Sequence, residues 1–181
     1  DSDAPYIKQM SDIFETEHHT ITIDTPELVN ALHDAVLARD FPGMADVDSS
    51  LYLFCREVKK TATVALSGEC ADEIFGGYPW FHHADFFEAD TFPWARSLDQ
   101  RLKVLSPDLL RIIDPYRYVR RRYEESLALV PKLPGEPPLE ARRREIFYLN
   151  ITWFMSSLLE RKDRMSMANG LEVRVPFCDH R

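Results

Sequence analysis

An α/β part followed by an all-helical part is the fold class that the sequence predicts, from three observations. Helical and extended patterns alternate over residues 1–80, proline-broken helical patterns fill 81–181, and the apolar run "TATVAL" stops at the small pair Ser67-Gly68. Helices alternating with short apolar strands are the pattern of a mostly parallel sheet with covered faces.

Each element has a local reason. In "YIKQMSDIFETE", Ile7, Met10, Ile13 and Phe14 fall at helical spacing, and "HHTITID" then alternates with Ile21 and Ile23 on one strand face. Thr25-Pro26-Glu27 reads as a helix start: a capping hydroxyl, proline at the first helical position and an acid in the first turn. Leu28, Leu32 and Val36 line one face behind it. Asp48-Ser49-Ser50, with Asp46 just before, reads as the cap of the next helix, where Leu51, Phe54, Cys55 and Val58 recur at the helical period. Lys59 and Lys60 suit the negative end of its dipole. "TATVAL" then predicts a short, fully buried strand. Further on, "LPGEPPLEARRRE" is a turn into a helix that is apolar nearly all round over 146–159 and therefore expected to be buried on several sides. It becomes polar at Glu160 and ends at Asn169-Gly170, with "LEVRVPF" extended or looped beyond.

Composition excludes several classes. The 181 residues are 45% hydrophobic and 12% aromatic, enough for one domain with a core, and a formal net charge of -8 argues against a nucleic-acid surface. No apolar run has the length of a membrane span and the first residues do not form a signal peptide, so the cytoplasm is the expected compartment. Cys55, Cys70 and Cys178 are odd in number and lack a CxxC spacing, so reduced thiols are expected. With no initial Met and an abrupt end at "VPFCDHR", the chain reads as a fragment. The pairs His18-His19 and His82-His83 diverge on a strand or a helix and read as surface or structural residues, and "RYVRRRYEES" and "ARRREI" read as solvated helix faces.

The chemistry concentrates in "VALSGECADEIFGGYPWFHH", residues 64–83. Open parallel sheets bind ligands at the carboxyl ends of their strands, and Gly68 lets a phosphate or a flat ring approach the backbone there. Glu69, Asp72 and Glu73 bring carboxylates to the same mouth, a suitable setting for Mg²⁺ held by one or two carboxylates plus substrate phosphates. The plain alternative makes Asp72 and Glu73 helix N-terminal acids and Gly76-Gly77 a turn.

Three ordered segments tip that balance. "SGECADEIFGGY" resembles the SGExADExFxGY signature of the glutamine-hydrolysing asparagine synthetase family. "LLERKDRMSMANGLEVRVPFCDH" is similar to that family's RMSMAxxLExRxPFLD segment, and "FPGMADVDSSLYLFCREVKK" resembles the segment before its SGE strand. The resemblance implies a parallel sheet of the ATP-pyrophosphatase (adenine nucleotide alpha hydrolase-like) type, incomplete here, followed by a helical extension of the same domain. It implies ATP and Mg²⁺, adenylation of the aspartate side-chain carboxylate with release of pyrophosphate, and attack by ammonia from a glutaminase domain of the parent chain. By motif, Ser67 and Gly68 would contact ATP and Asp72 would ligate Mg²⁺. Glu69 would stand beside the acyl-adenylate, where it could orient or deprotonate the attacking amine. Asp48, Arg174 and Asp179 are candidates for substrate contact or for a structural network. Arg161 and Lys162 read first as structural, with bracing of the acidic loop or contact with phosphates as the alternative. A homodimer is within expectation.

The departures shape a further expectation. The family's SGGxDS loop, the nucleophilic cysteine of its glutaminase domain and the lysine it places beyond the VPFLD motif are not in this sequence. Cys70 stands where glycine or alanine is usual, and Cys178 where leucine is usual. The isolated chain is therefore expected to bind ATP weakly and to make no asparagine. The rival readings are a relative that activates another carboxylate, of the β-lactam synthetase or peptide cyclase type, and a non-catalytic module on the same fold.

Overall fold

The computed structural model describes residues 3–40, 43–179 and 181. The architecture is mixed α/β and mostly helical, and its sheet has two strands among the described residues, β1 (Val64–Leu66) and β2 (Glu172–Arg174). The Glu172 N–H donates to the Thr63 carbonyl at 3.0 Å and the Ser67 N–H to the Arg174 carbonyl at 2.9 Å, so the strands run parallel. Two expectations fail here. Val64 and Leu66 are 41% and 76% exposed, so β1 is not the fully buried strand its apolar run predicted. "HHTITID" forms no strand either, although Ile21 and Ile23 are half-buried between exposed threonines. Alternation reports which face is covered, whereas a strand also needs a neighbour to complete its hydrogen-bond ladder.

The chain divides into two compact units, Asp1–Val64 with Arg164–Glu172, and Ala65–Asp163 with Val173–Arg181. The first unit starts with α1 (Ala4–Phe14), whose predicted stripe of Ile7, Met10, Ile13 and Phe14 is exposed along its whole length. In α2 (Thr25–Asn30) the cap is Asp24 and not Thr25. Its Oδ1 accepts the Glu27 N–H at 2.8 Å while Glu27 Oε2 accepts the Asp24 N–H at 3.0 Å, a reciprocal capping box. In α3 (Leu32–Arg39) the fully buried positions are Ala35 and, just before it, Ala31, whereas Leu28 and Leu32 are half-buried and Val36 is exposed. The next helix, α4 (Ala45–Lys59), begins before Asp48, so Asp48 and Ser49 are buried helix residues and not caps. The side chain of Asp46 lies outside the described residues. Leu53 and Cys55 of α4 join Met165 and Leu171 among the buried residues of this unit.

The second unit carries α5 (Ala71–Phe75), α6 (Ala84–Phe87), α7 (Leu98–Leu102), α8 (Pro107–Ile113), α9 (Pro115–Leu127) and α10 (Pro138–Leu149). The last of these runs through a π-helical segment, Asn150–Met155, into α11 (Ser156–Met167). Phe92, Tyr123 and Leu149 form a core with Trp94, Ala95, Val119 and Leu127 around them. A fully buried side chain of the size of Leu149 contributes about 1.5–3 kcal/mol. Burial of the long helix is one-sided after all: Ile146 and Leu149 are fully covered, while Ile151 is 42% exposed. The basic run before it is not wholly solvated. Arg142 donates to the Phe87 and Ala89 carbonyls at 2.9 and 2.7 Å, to the Tyr123 hydroxyl at 2.9 Å and to Glu145 at 2.8 Å, tying α10 to the end of α6 and the segment after it. Among the described residues no helix is long and apolar enough to cross a membrane.

Candidate functional site

Strand β1 delivers Ser67 and Gly68 at its carboxyl end, and the two pieces of backbone that flank them hold the loop in place. The Ser67 N–H is bound to Arg174 of β2, and the Ser67 hydroxyl accepts the Glu69 N–H at 3.3 Å. A Cβ placed on Gly68 would meet nothing within 4 Å, so the space over its backbone is open. The chain then reverses through Cys70, which adopts a left-handed conformation with φ +75°. That conformation favours glycine, so the residue that replaces it here carries backbone strain of about 1–3 kcal/mol.

Glu69 is the best-anchored carboxylate of the loop. Its Oε2 lies 2.9 Å from Lys162 Nζ and its Oε1 3.9 Å from an Arg161 guanidinium nitrogen, and all three side chains are about 15% exposed. The lysine approaches off the hydrogen-bond direction of Oε2, so the pair is held by charge rather than by an aligned bond. Both cations come from the middle of α11, which follows the π-helical segment that packs against α5. Arg161 and Lys162 thus brace the acidic loop, one of the two roles their sequence left open.

The other two acids diverge. Asp72 is exposed, and its carboxylate lies so close over Gly77 that any side chain at that position would collide with it. Glu73 is buried at 1% exposure and accepts the Tyr78 hydroxyl proton at 2.6 Å. Burial, then the bond to Glu73 and the charges of Glu73, Asp72 and Glu69, push the Tyr78 phenol above its ordinary range. Glu73 is therefore a structural acid. Among the described residues no group of three His, Cys, Asp or Glu side chains is placed to hold a metal ion. Mg²⁺, however, takes one or two protein carboxylates and completes its shell with substrate phosphates and water, so the single open carboxylate of Asp72 is compatible with it.

The remaining candidates are dispersed. Arg174 lies on β2 and contributes its carbonyl to the Ser67 bond. Asp179 is exposed and bonds Arg181 through both oxygens at 3.0 Å, which holds its carboxyl below the usual carboxylate range. Asp48 belongs to the first unit, where Arg39 approaches it at 3.2 Å.

Strand β1 thus ends in an open Ser-Gly turn, followed at once by a carboxylate clamped between two cations. Comparison with known proteins gives the family. The model of the family described as "Asparagine synthase" matches residues 1–181, and the chain belongs to that family. It is 56% identical over 179 residues to "Asparagine synthetase [glutamine-hydrolyzing] 3" of Bacillus subtilis, covering 99% of this chain and 29% of the relative. "Asparagine synthetase [glutamine-hydrolyzing] 1" of the same organism is 28% identical, with 98% of this chain and 33% of the relative covered. The human "Asparagine synthetase [glutamine-hydrolyzing]" is 25% identical, with 96% and 22% covered. The chain thus spans about a third or less of the length of these curated relatives.

Proposed function

We propose that the chain is the acid-activating part of an ATP-dependent asparagine synthetase of the ATP-pyrophosphatase type. In this reading an oxygen of the aspartate β-carboxylate attacks the α-phosphorus of ATP and pyrophosphate leaves. Ammonia, released from glutamine in a glutaminase domain, then attacks the acyl carbon, AMP leaves, and the nitrogen loses a proton. The observation that carries it is the clamped Glu69, a carboxylate kept at the end of β1 by Lys162 and Arg161.

Each residue then has a task. Gly68, with open space above it, and Ser67 contact the nucleotide. Asp72 would hold Mg²⁺ together with the phosphates, where the ion would supply positive charge to offset theirs. Glu69 orients the amine and accepts its proton, a general-base contribution of about 10²–10⁴ in rate. Arg174 and Asp179 shape the loop from the β2 side, and Asp48, buried beside Arg39, belongs to the structural network and not to direct substrate contact. The proposal includes a cytoplasmic location and a homodimer, and it holds that the isolated chain does not complete the reaction.

The test separates the two half-reactions in the full-length protein that carries this chain. Glu69→Gln is expected to lower asparagine formation from aspartate, ATP and ammonium at least 100-fold, the low end of a general-base contribution, while aspartate-dependent exchange of pyrophosphate into ATP persists. Undiminished asparagine formation would remove Glu69 from the chemistry.

A further inference from the structure

We propose that the cavity lined by the two short turns Pro79–Phe81 and Pro93–Ala95 is a binding site for a small aromatic carboxylate. Each turn opens with the same pair, proline then tryptophan, and the fixed φ of proline starts both in the same way. The fold brings the two indoles to one cavity of about 530 Å³, a size that holds a small organic ligand. Trp80 and Trp94 stand 6.1 Å apart between centroids with their planes 58° apart, and Phe86 adds a third ring to the lining. Phe154, on the π-helical segment, packs against both indoles, 5.3 Å from Trp80 and 5.1 Å from Trp94, and Tyr78 stacks on Trp80 at 4.3 Å. The rings are therefore held in place without a ligand, which spares the entropy of ordering them on binding. All of these residues belong to one compact unit, so the cavity does not depend on how the two units are arranged.

The charge at this cavity has one sign. Its polar lining is Arg96, Ser97 and Arg101, with no carboxylate among the described residues. In a chain of net charge -8 that is uncommon, and other arginines of this unit pair with acids, as Arg111 does with Asp108, Arg120 with Asp90 and Arg143 with Glu140. Arg96 instead lies over the Phe86 ring, 4.5 Å from its centroid, and Arg101 donates to the Trp94 carbonyl at 3.1 Å. These contacts keep both guanidinium groups beside the rings and leave further N–H donors for a ligand. Asp90 and Asp99, which share a neighbouring cavity with Arg96, are already engaged by Arg120 at 3.0 Å and by the Tyr116 hydroxyl at 2.5 Å. The ligand that suits this lining has a flat apolar ring for the indoles and a carboxylate for the guanidinium forks. A magnesium-bound nucleotide does not suit it, because no carboxylate is there to take the ion. The assignment rests on these contacts and not on the synthetase reading.

The experiment adds 1-naphthoate to the full-length protein and follows binding by equilibrium dialysis. Saturable binding is expected, with a Kd of about 1 mM or below. Arg96→Gln/Arg101→Gln replaces two exposed side chains and is expected to weaken it by about tenfold or more, the loss of one charge-assisted hydrogen bond. Arg117→Gln removes an exposed arginine that does not line the cavity, and is expected to leave the affinity unchanged. Neutral 1-naphthol, which lacks the carboxylate, and cyclohexanecarboxylate, which lacks the flat ring, are each expected to bind more weakly than 1-naphthoate. Absence of saturable binding, or equal binding by the double variant, would overturn the site. Equal affinity for 1-naphthol or for cyclohexanecarboxylate would overturn the ligand class, and so would displacement of 1-naphthoate by MgATP, which would make the cavity a nucleotide site.

Discussion

Glu69 depends on cations supplied from far along the chain, and that dependence can be measured apart from catalysis. Removing Lys162 leaves the carboxylate with Arg161 at 3.9 Å as its remaining cation among these contacts. Lys162→Met is expected to cost about 1–3 kcal/mol, the penalty for a buried polar group that loses its partner. The double variant Glu69→Gln/Lys162→Met should cost less than the sum of the two singles, with a coupling of about 0.5–3 kcal/mol in urea unfolding. Strict additivity would mean that the pair contributes nothing. Tyr78 offers a pH test. Its folded pKa is raised above the unfolded value of about 10, so the associated stability is complete below that pH and is lost as pH rises through and beyond it. The fall in Tm between about pH 9 and 11, a window set around that value, should be shallower in Tyr78→Phe, and equal slopes would contradict the bond to Glu73. At this scale the Ser-Gly-Glu motif was legible because its residues are adjacent. The roles of Lys162 and Glu73 were not, because nothing in local spacing says which distant side chain a charge will meet.

At the scale of elements, the turn after α5 is set by a steric fit. Gly77 leaves room for the Asp72 carboxylate, so Gly77→Ala is expected to displace Asp72 and to weaken Mg²⁺-dependent activity by about tenfold or more, equivalent to about 1.4 kcal/mol. A variant with unaltered Mg²⁺ dependence would show that Asp72 is not the ligand. Helices were the most legible elements, since their periodicity and capping signals are local. Even there the cap of α2 moved one residue, because Asp24 and Glu27 complete a reciprocal box that Thr25 does not. The π-helical segment left no mark in the apolar pattern, which stays continuous across Asn150–Met155. Strands were read least well. Their existence depends on a partner, and the ladder of β1 is supplied by β2, more than a hundred residues later.

For the whole molecule, the large apolar side chains left open are informative. Ile7, Met10, Ile13 and Phe14 on α1, and Leu66 on β1, are all exposed by about half or more. Open apolar stripes and strand edges favour association. The isolated 181-residue chain is therefore expected to self-associate in light scattering, and Met10→Lys/Phe14→Lys on α1 should reduce it; a monomer indifferent to these changes would contradict that view. In the proposed function, ATP activates aspartate with help from Asp72. The most direct test is exchange of labelled pyrophosphate into ATP by the full-length protein, with and without aspartate. Exchange is expected to require aspartate and to fall at least 100-fold in Asp72→Asn, a loss of about 2.7 kcal/mol in transition-state stabilisation. Exchange that is absent with aspartate, or that Asp72→Asn leaves intact, would contradict it.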